Sequence, residues 1–130
     1  MNDRPDATEL LEAVRRFIET EVMPNCKGPR KYQARVAANV LEIVRREWEC
    51  EPRHLRDEWT SAGLLLGIEE PFPSSRQALR ESIRERTDGL VARIRSGEAD
   101  SGPFRSAVLA HLRSTCAAKL EVSRGEAPGR

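Results

Sequence analysis

Apolar residues recur along this chain at spacings of three and four, the period of one face of an α-helix, and no segment alternates for long enough to predict a strand. In the first stretch Leu10, Leu11, Val14, Phe17, Ile18 and Val22 share a face at about 100° per residue. Asp6 followed by Glu9 predicts a capping box that opens this helix, and the run from Pro24 to Pro29 predicts the turn that ends it. A second helix is expected from about Arg30 to Cys50 on the stripe Tyr32, Val36, Val40 and Ile43. Pro52 is expected to break it and open a third helix, to about Leu66, that buries Leu55, Trp59, Ala62 and Leu66. Beyond a loop, Ser74 and Gln77 predict a capping box for a fourth helix reaching about Ser96, built on Leu79, Ile83, Leu90 and Ile94. Pro103 then sits in the first turn of a last helix carrying Phe104, Val108, Leu109, Leu112, Cys116 and Leu120. The expected fold is all-α: about five helices in a single compact bundle over residues 1–122, the first two an antiparallel hairpin, with a frayed tail at 123–130. No internal repeat and no glycine-rich phosphate loop is read in it.

Composition narrows the function classes. With 22 basic and 21 acidic residues the net charge is +1, which lacks the strong uniform field of a dedicated nucleic-acid or anionic-membrane binder. Arg76, Arg80 and Arg84 form a basic strip, but Glu81 and Glu85 interleave with it. No apolar run approaches the ~20 residues of a membrane span. Cys26, Cys50 and Cys116 are too few and too dispersed for a disulfide framework, and with no signal peptide in the polar stretch at the N-terminus they read as reduced thiols of a cytoplasmic protein. Cys116 reads as a small core residue, and Cys26 and Cys50 as thiols near helix ends. His54 and His111 have no metal-ligand spacing and no aligned nucleophile, and read as surface or boundary residues. The expectation is therefore no metal, no cofactor and no catalytic residue.

The sharpest chemistry lies where polar residues interrupt the first two stripes. Glu21 falls near the end of the first helix, and Arg35 and Asn39 near the start of the second. An antiparallel hairpin brings these positions toward one another, so Glu21 is expected within reach of Arg35 or Tyr32. One reading is a polar pocket in which Arg35 binds a carboxylate or phosphate and Asn39 orients it. The other is an ion pair and hydrogen bond that fix helix register without any ligand.

The segments Ala7–Val14, Glu19–Pro24, Ala34–Leu41 and Ile94–Gly97 resemble a small family of bacterial domains of unknown function. Members of that family are often encoded beside aminoglycoside-phosphotransferase-like kinases and acyl-CoA dehydrogenases. The resemblance covers Asp6 to about Val122 and departs at Gln33, where the family commonly has histidine. It implies a helical accessory or interaction domain, not an enzyme, working with a kinase-like or acyl-CoA-handling partner. The alternative is a small-anion or acyl-group binding protein or enzyme subunit that uses Glu21, Arg35 and Asn39. Self-association as a homodimer is also expected, through a stripe on the Trp59 helix or the last helix that one small core leaves uncovered.

Overall fold

The computed structural model describes residues 3–125. Among the described residues there are four α-helices and no strand: α1 (Ala7–Phe17), α2 (Pro29–Leu66), α3 (Arg76–Arg95) and α4 (Gly102–Arg124). The all-α expectation stands; the count of five does not, because Pro52 lies inside α2 and opens no new helix. A proline in a helix interior removes one N–H bond and crowds a carbonyl, at about 3 kcal/mol, but its φ is compatible with helix. The helix runs on through Pro52 without a break. His54, expected at a helix start, is consequently interior to α2, as is Cys50.

Helix α1 begins on the predicted capping box. Asp6 Oδ1 accepts the Glu9 N–H at 2.8 Å, and Glu9 Oε2 accepts the Asp6 N–H at 2.9 Å. At Ile18 the helix widens into a π-helical turn to Val22, and a 3₁₀ turn at Met23–Asn25, holding Pro24, closes the element. Gly28, at φ 60°, supplies the left-handed residue of the turn into α2.

The chain divides into two packed units, one running to Glu51 and resuming at Leu120, the other spanning Pro52–Lys119. In the first, α1 and the opening half of α2 form a hairpin. Thr8 and Glu9 share one depression with Arg45, whereas Glu19 and Met23 share another with Arg35 and Val36, so the two helices run antiparallel as expected. In this unit Cys50, half-buried, directs its thiol toward Glu121 Oε1 at 3.7 Å.

The second unit has the aliphatic and aromatic core that the periodicity predicts. Trp59, Leu79 and Ile83 are buried together, with Leu55 against them. Trp59 Nε1 donates to Ser82 Oγ at 2.9 Å, and Phe72 meets the indole edge-on with ring centroids 5.2 Å apart. Of the two helices on which an uncovered stripe is expected, the one with Trp59 packs that residue against α3, whereas Leu109, Leu112 and Leu120 of α4 stay exposed. Helix α2 ends in a Schellman turn: Gly67 has φ 67°, and the Ile68 N–H returns to the Gly63 carbonyl at 3.0 Å. Ser75, not Ser74, caps α3, its side chain accepting the Ala78 N–H. Gly89 lies inside continuous α3, against Leu66. On α4 the buried residues are Val108 and His111, whereas Cys116, expected in the core, is exposed. Helix α4 runs to Arg124, and residues 126–130 of the expected tail lie outside the described residues. No helix among the described residues is long and apolar enough to cross a membrane.

Candidate functional site

The seam between α1 and α2 is charged. Arg15 on α1 donates through Nε and Nη2 to the two oxygens of Glu12, at 3.0 and 2.7 Å, and through Nη1 to Glu19 at 2.8 Å. On α2 Arg45 repeats the arrangement, reaching Glu42 at 3.0 and 2.7 Å and Glu49 at 2.8 Å. The two clusters meet where Arg15 Nε lies 3.5 Å from Glu42 Oε2. The hydrogen bond from Arg15 holds the Glu12 carboxyl below its ordinary 4.5, against partial desolvation, and Arg45 across the seam acts in the same direction. Glu42 is lowered by its bond from Arg45, with Arg15 as the cross-seam cation, and both guanidiniums are raised in turn by their carboxylates.

The source of this symmetry is in the sequence. Leu11-Glu12-Ala13-Val14-Arg15-Arg16-Phe17-Ile18-Glu19 and Leu41-Glu42-Ile43-Val44-Arg45-Arg46-Glu47-Trp48-Glu49 share Leu-Glu-x-Val-Arg-Arg-x-x-Glu, thirty residues apart. The chain therefore does carry a short internal repeat, contrary to the reading from periodicity. Each copy is a single helical stretch, shorter than the supersecondary unit of a repeat architecture.

Beside the seam lies a groove of about 600 Å³, lined by Arg15, Glu19, Met23, Arg35, Val36, Ala38, Asn39 and Glu42. Arg35 and Asn39 are brought together there as anticipated, one turn apart on α2. Glu21 is not in the lining; its side chain is exposed, and the carboxylate that enters the groove is Glu19. The reason is which face forms the seam. Glu21 continues the stripe of Val14 and Phe17, and that stripe faces outward, while the Glu12, Arg15, Glu19 face meets α2. Arg35 makes no hydrogen bond or ion pair among the described residues, nor does the Asn39 side chain. Arg15 is already matched by Glu12 and Glu19. The groove thus offers one unmatched guanidinium with an amide beside it, the donor set for a single carboxylate or phosphate group.

The other unit holds a second polar centre, at a position the sequence analysis does not single out. Arg86 is 3% exposed. Its guanidinium lies 3.9 Å from the Trp59 ring centroid, Nη1 donates to the Trp59 carbonyl at 2.8 Å, and Nη2 to Glu70 Oε2 at 3.2 Å. Arg86 Nε is buried without a partner in the described structure. The signal was available: Leu79, Ile83, Arg86 and Leu90 fall at helical spacing on one buried stripe. His111 likewise departs from the boundary role expected of it, buried with Nδ1 2.6 Å from Ser61 Oγ. Both networks are satisfied largely from within the unit and hold it together; neither opens onto a described groove.

No curated protein and no solved structure matches the chain. One family profile does, described as a domain of unknown function, DUF6285, over residues 24–125. That span includes Arg35, Asn39 and both buried networks, begins after α1 and Glu21, and covers well over half of the sequence, so the chain belongs to the DUF6285 family.

Proposed function

We propose that the chain is a non-enzymatic helical accessory domain of the bacterial cytoplasm that acts by holding other proteins. Its partners on this reading are a second copy of itself and, as the family resemblance implies, an aminoglycoside-phosphotransferase-like kinase or an acyl-CoA dehydrogenase. One observation carries it. In the first unit Glu12, Arg15, Glu42 and Arg45 occupy the seam between helices, while Leu10, Val14, Phe17, Val40, Val44 and Trp48 stay at the surface. An apolar face of that extent on so small a unit supports a protein contact surface. The test is affinity capture of the full chain from its native host, with mass spectrometry. Enrichment of a kinase-like or acyl-CoA-handling enzyme over a tag-only control is the expected result, and recovery of the bait without either enzyme would remove this partner assignment.

A second reading is supported by the groove at Arg35 and Asn39: binding of a small anion or of the acidic end of an acyl carrier group. Here Arg35 supplies the charge-assisted bond and Asn39 the orientation, with Met23 and Val36 as the apolar wall. Thermal melts with inorganic phosphate, short carboxylates and acyl-CoA compounds separate the two readings, since only the second expects a concentration-dependent rise in Tm.

A further inference from the structure

The first unit carries one broad apolar face, and we infer that this face docks a second copy of the chain, the two hairpins stacking into a four-helix bundle. The inference rests on the interaction reading above and assigns a partner to one surface. Its starting point is the repeat. The thirty-residue offset that matches Arg15 with Arg45 also matches Leu10 with Val40, Val14 with Val44 and Ile18 with Trp48. At about 100° per residue, Val14 and Val44 stand about 100° to one side of Arg15 and Arg45, and Leu10 and Val40 about 140° to the same side. Because α1 and α2 run antiparallel with both arginines in the seam, an approximate two-fold axis stands perpendicular to the hairpin. Such an axis keeps equivalent positions on one face. Leu10 and Val14 of α1 therefore share a face with Val40 and Val44 of α2, with Phe17 and Trp48 beside them; Glu21, and Glu47 at the position matching Phe17, bring carboxylates to its margin.

Within this unit the remaining described chain lies against the opposite side of α2. Glu121 sits at Cys50, and a side chain added at Gly125 would meet Arg46 Nη1 at 2.8 Å. Cys50 and Arg46 are rotated about 140° and 100° from Arg45 in the other sense. Arg35 and Asn39 fall on that side too. The six apolar residues are left between 41% and 58% exposed.

Two considerations select a second copy. The first is area: six such side chains present roughly 600 Å², and with a rim of neighbours the patch reaches the ~800 Å² per partner of a standard stable interface. The second is symmetry. A face that already repeats itself about a perpendicular two-fold axis offers the Leu10/Val40 and Val14/Val44 positions in the same order in either direction along the hairpin. Turned over onto its own copy, it meets a matching surface, which is the requirement of an isologous dimer. The result places all four helices around a shared apolar core and leaves the Arg15 and Arg45 clusters at its flanks, the layout of an antiparallel four-helix bundle.

Sedimentation equilibrium of the full chain, from low to high micromolar concentration, tests this together with Val14→Glu and Val44→Glu. The wild type is expected to sediment as a dimer and each variant to weaken the dimer about a hundredfold or more, with helical circular dichroism retained. Carbene footprinting needs no variant: labelling of Leu10, Val14, Val40 and Val44 is expected to fall as concentration rises through the dimer range. A monomer at high micromolar concentration, or a dimer whose footprint lies elsewhere, overturns the inference. A monomer that still captures an enzyme from the native host would sink it while leaving the interaction reading in place.

Discussion

Gly63 of α2 leaves the space that the Arg86 guanidinium of α3 fills: a Cβ built at position 63 would overlap Arg86 Nη1, the atom that donates to the Trp59 carbonyl. Glycine inside a helix costs roughly 1 kcal/mol relative to alanine through backbone entropy, so a glycine at this interior position needs a compensating role. Here the compensation is a buried arginine that covers the Trp59 ring and ties α2 to α3 by one hydrogen bond.

A double-mutant cycle in chemical denaturation measures that pairing. Gly63→Ala is expected to destabilise the wild type by about 1–3 kcal/mol, because the arginine must leave its site. In an Arg86→Leu background the same change is expected to stabilise by up to about 1 kcal/mol, since only the helix-propensity gain remains. Equal destabilisation in both backgrounds would show that the two residues do not share one space.

Arg86→Ala alone is expected to cost about 2–3 kcal/mol, through the exposed indole face and the Trp59 carbonyl left without its side-chain donor. Glu70→Ala leaves the buried Arg86 guanidinium without its carboxylate, but Glu70 is more than half exposed and its pairing is screened by water, so the cost should be smaller, about 1–2 kcal/mol. Urea midpoints of the two variants check the asymmetry.

Acid stability follows from Glu12 and Glu42. Both carboxyls are held below 4.5 in the folded chain by hydrogen bonds from Arg15 and Arg45 respectively. A folded-state value below the unfolded one means the unfolded chain binds protons more readily as pH falls. The stabilisation is therefore fully present above about pH 5 and is lost as pH drops through 4.5 toward the lowered values. The Tm of Glu12→Gln/Glu42→Gln should be lower than wild type at pH 7 and converge on it below pH 4. A constant gap across that range would remove the assignment.

Across the seam, coupling between Arg15 and Glu42 should be small. The pair is 3.5 Å apart and partly open to water, and Arg15 is already bonded to Glu12 and Glu19. A cycle of Arg15→Ala and Glu42→Ala is expected to give a coupling below about 1 kcal/mol that shrinks further in molar salt.

Arg35→Ala is expected to leave the melting temperature within error of wild type, because the side chain is exposed and no carboxylate is stranded by its removal. If the groove holds an anion, the same variant abolishes any Tm rise given by phosphate, carboxylate or acyl-CoA compounds, and Asn39→Ala reduces it. A stabilising compound that acts equally on Arg35→Ala binds elsewhere.

The sequence by itself determined the helical class, the capping box at Asp6 and Glu9, the antiparallel turn after Pro24 and the apolar stripe that includes Trp59, because each depends on local periodicity or on a backbone preference of the residues themselves. It also held the repeat around Arg15 and Arg45, legible from the residues alone. Tertiary structure decided the rest. Periodicity marks an apolar stripe but not what the stripe faces, so Val14, Phe17 and Val40 looked like hairpin core and instead lie outside, carrying Glu21 away from Arg35. Pro52 reads as a break because its local cost is real, yet the helix continues through it, which its φ permits. The stripe Leu79, Ile83, Arg86 and Leu90 marks Arg86 as inward-facing, but what satisfies it and His111 depends on partners far along the chain, Trp59 and Ser61, which no local pattern names.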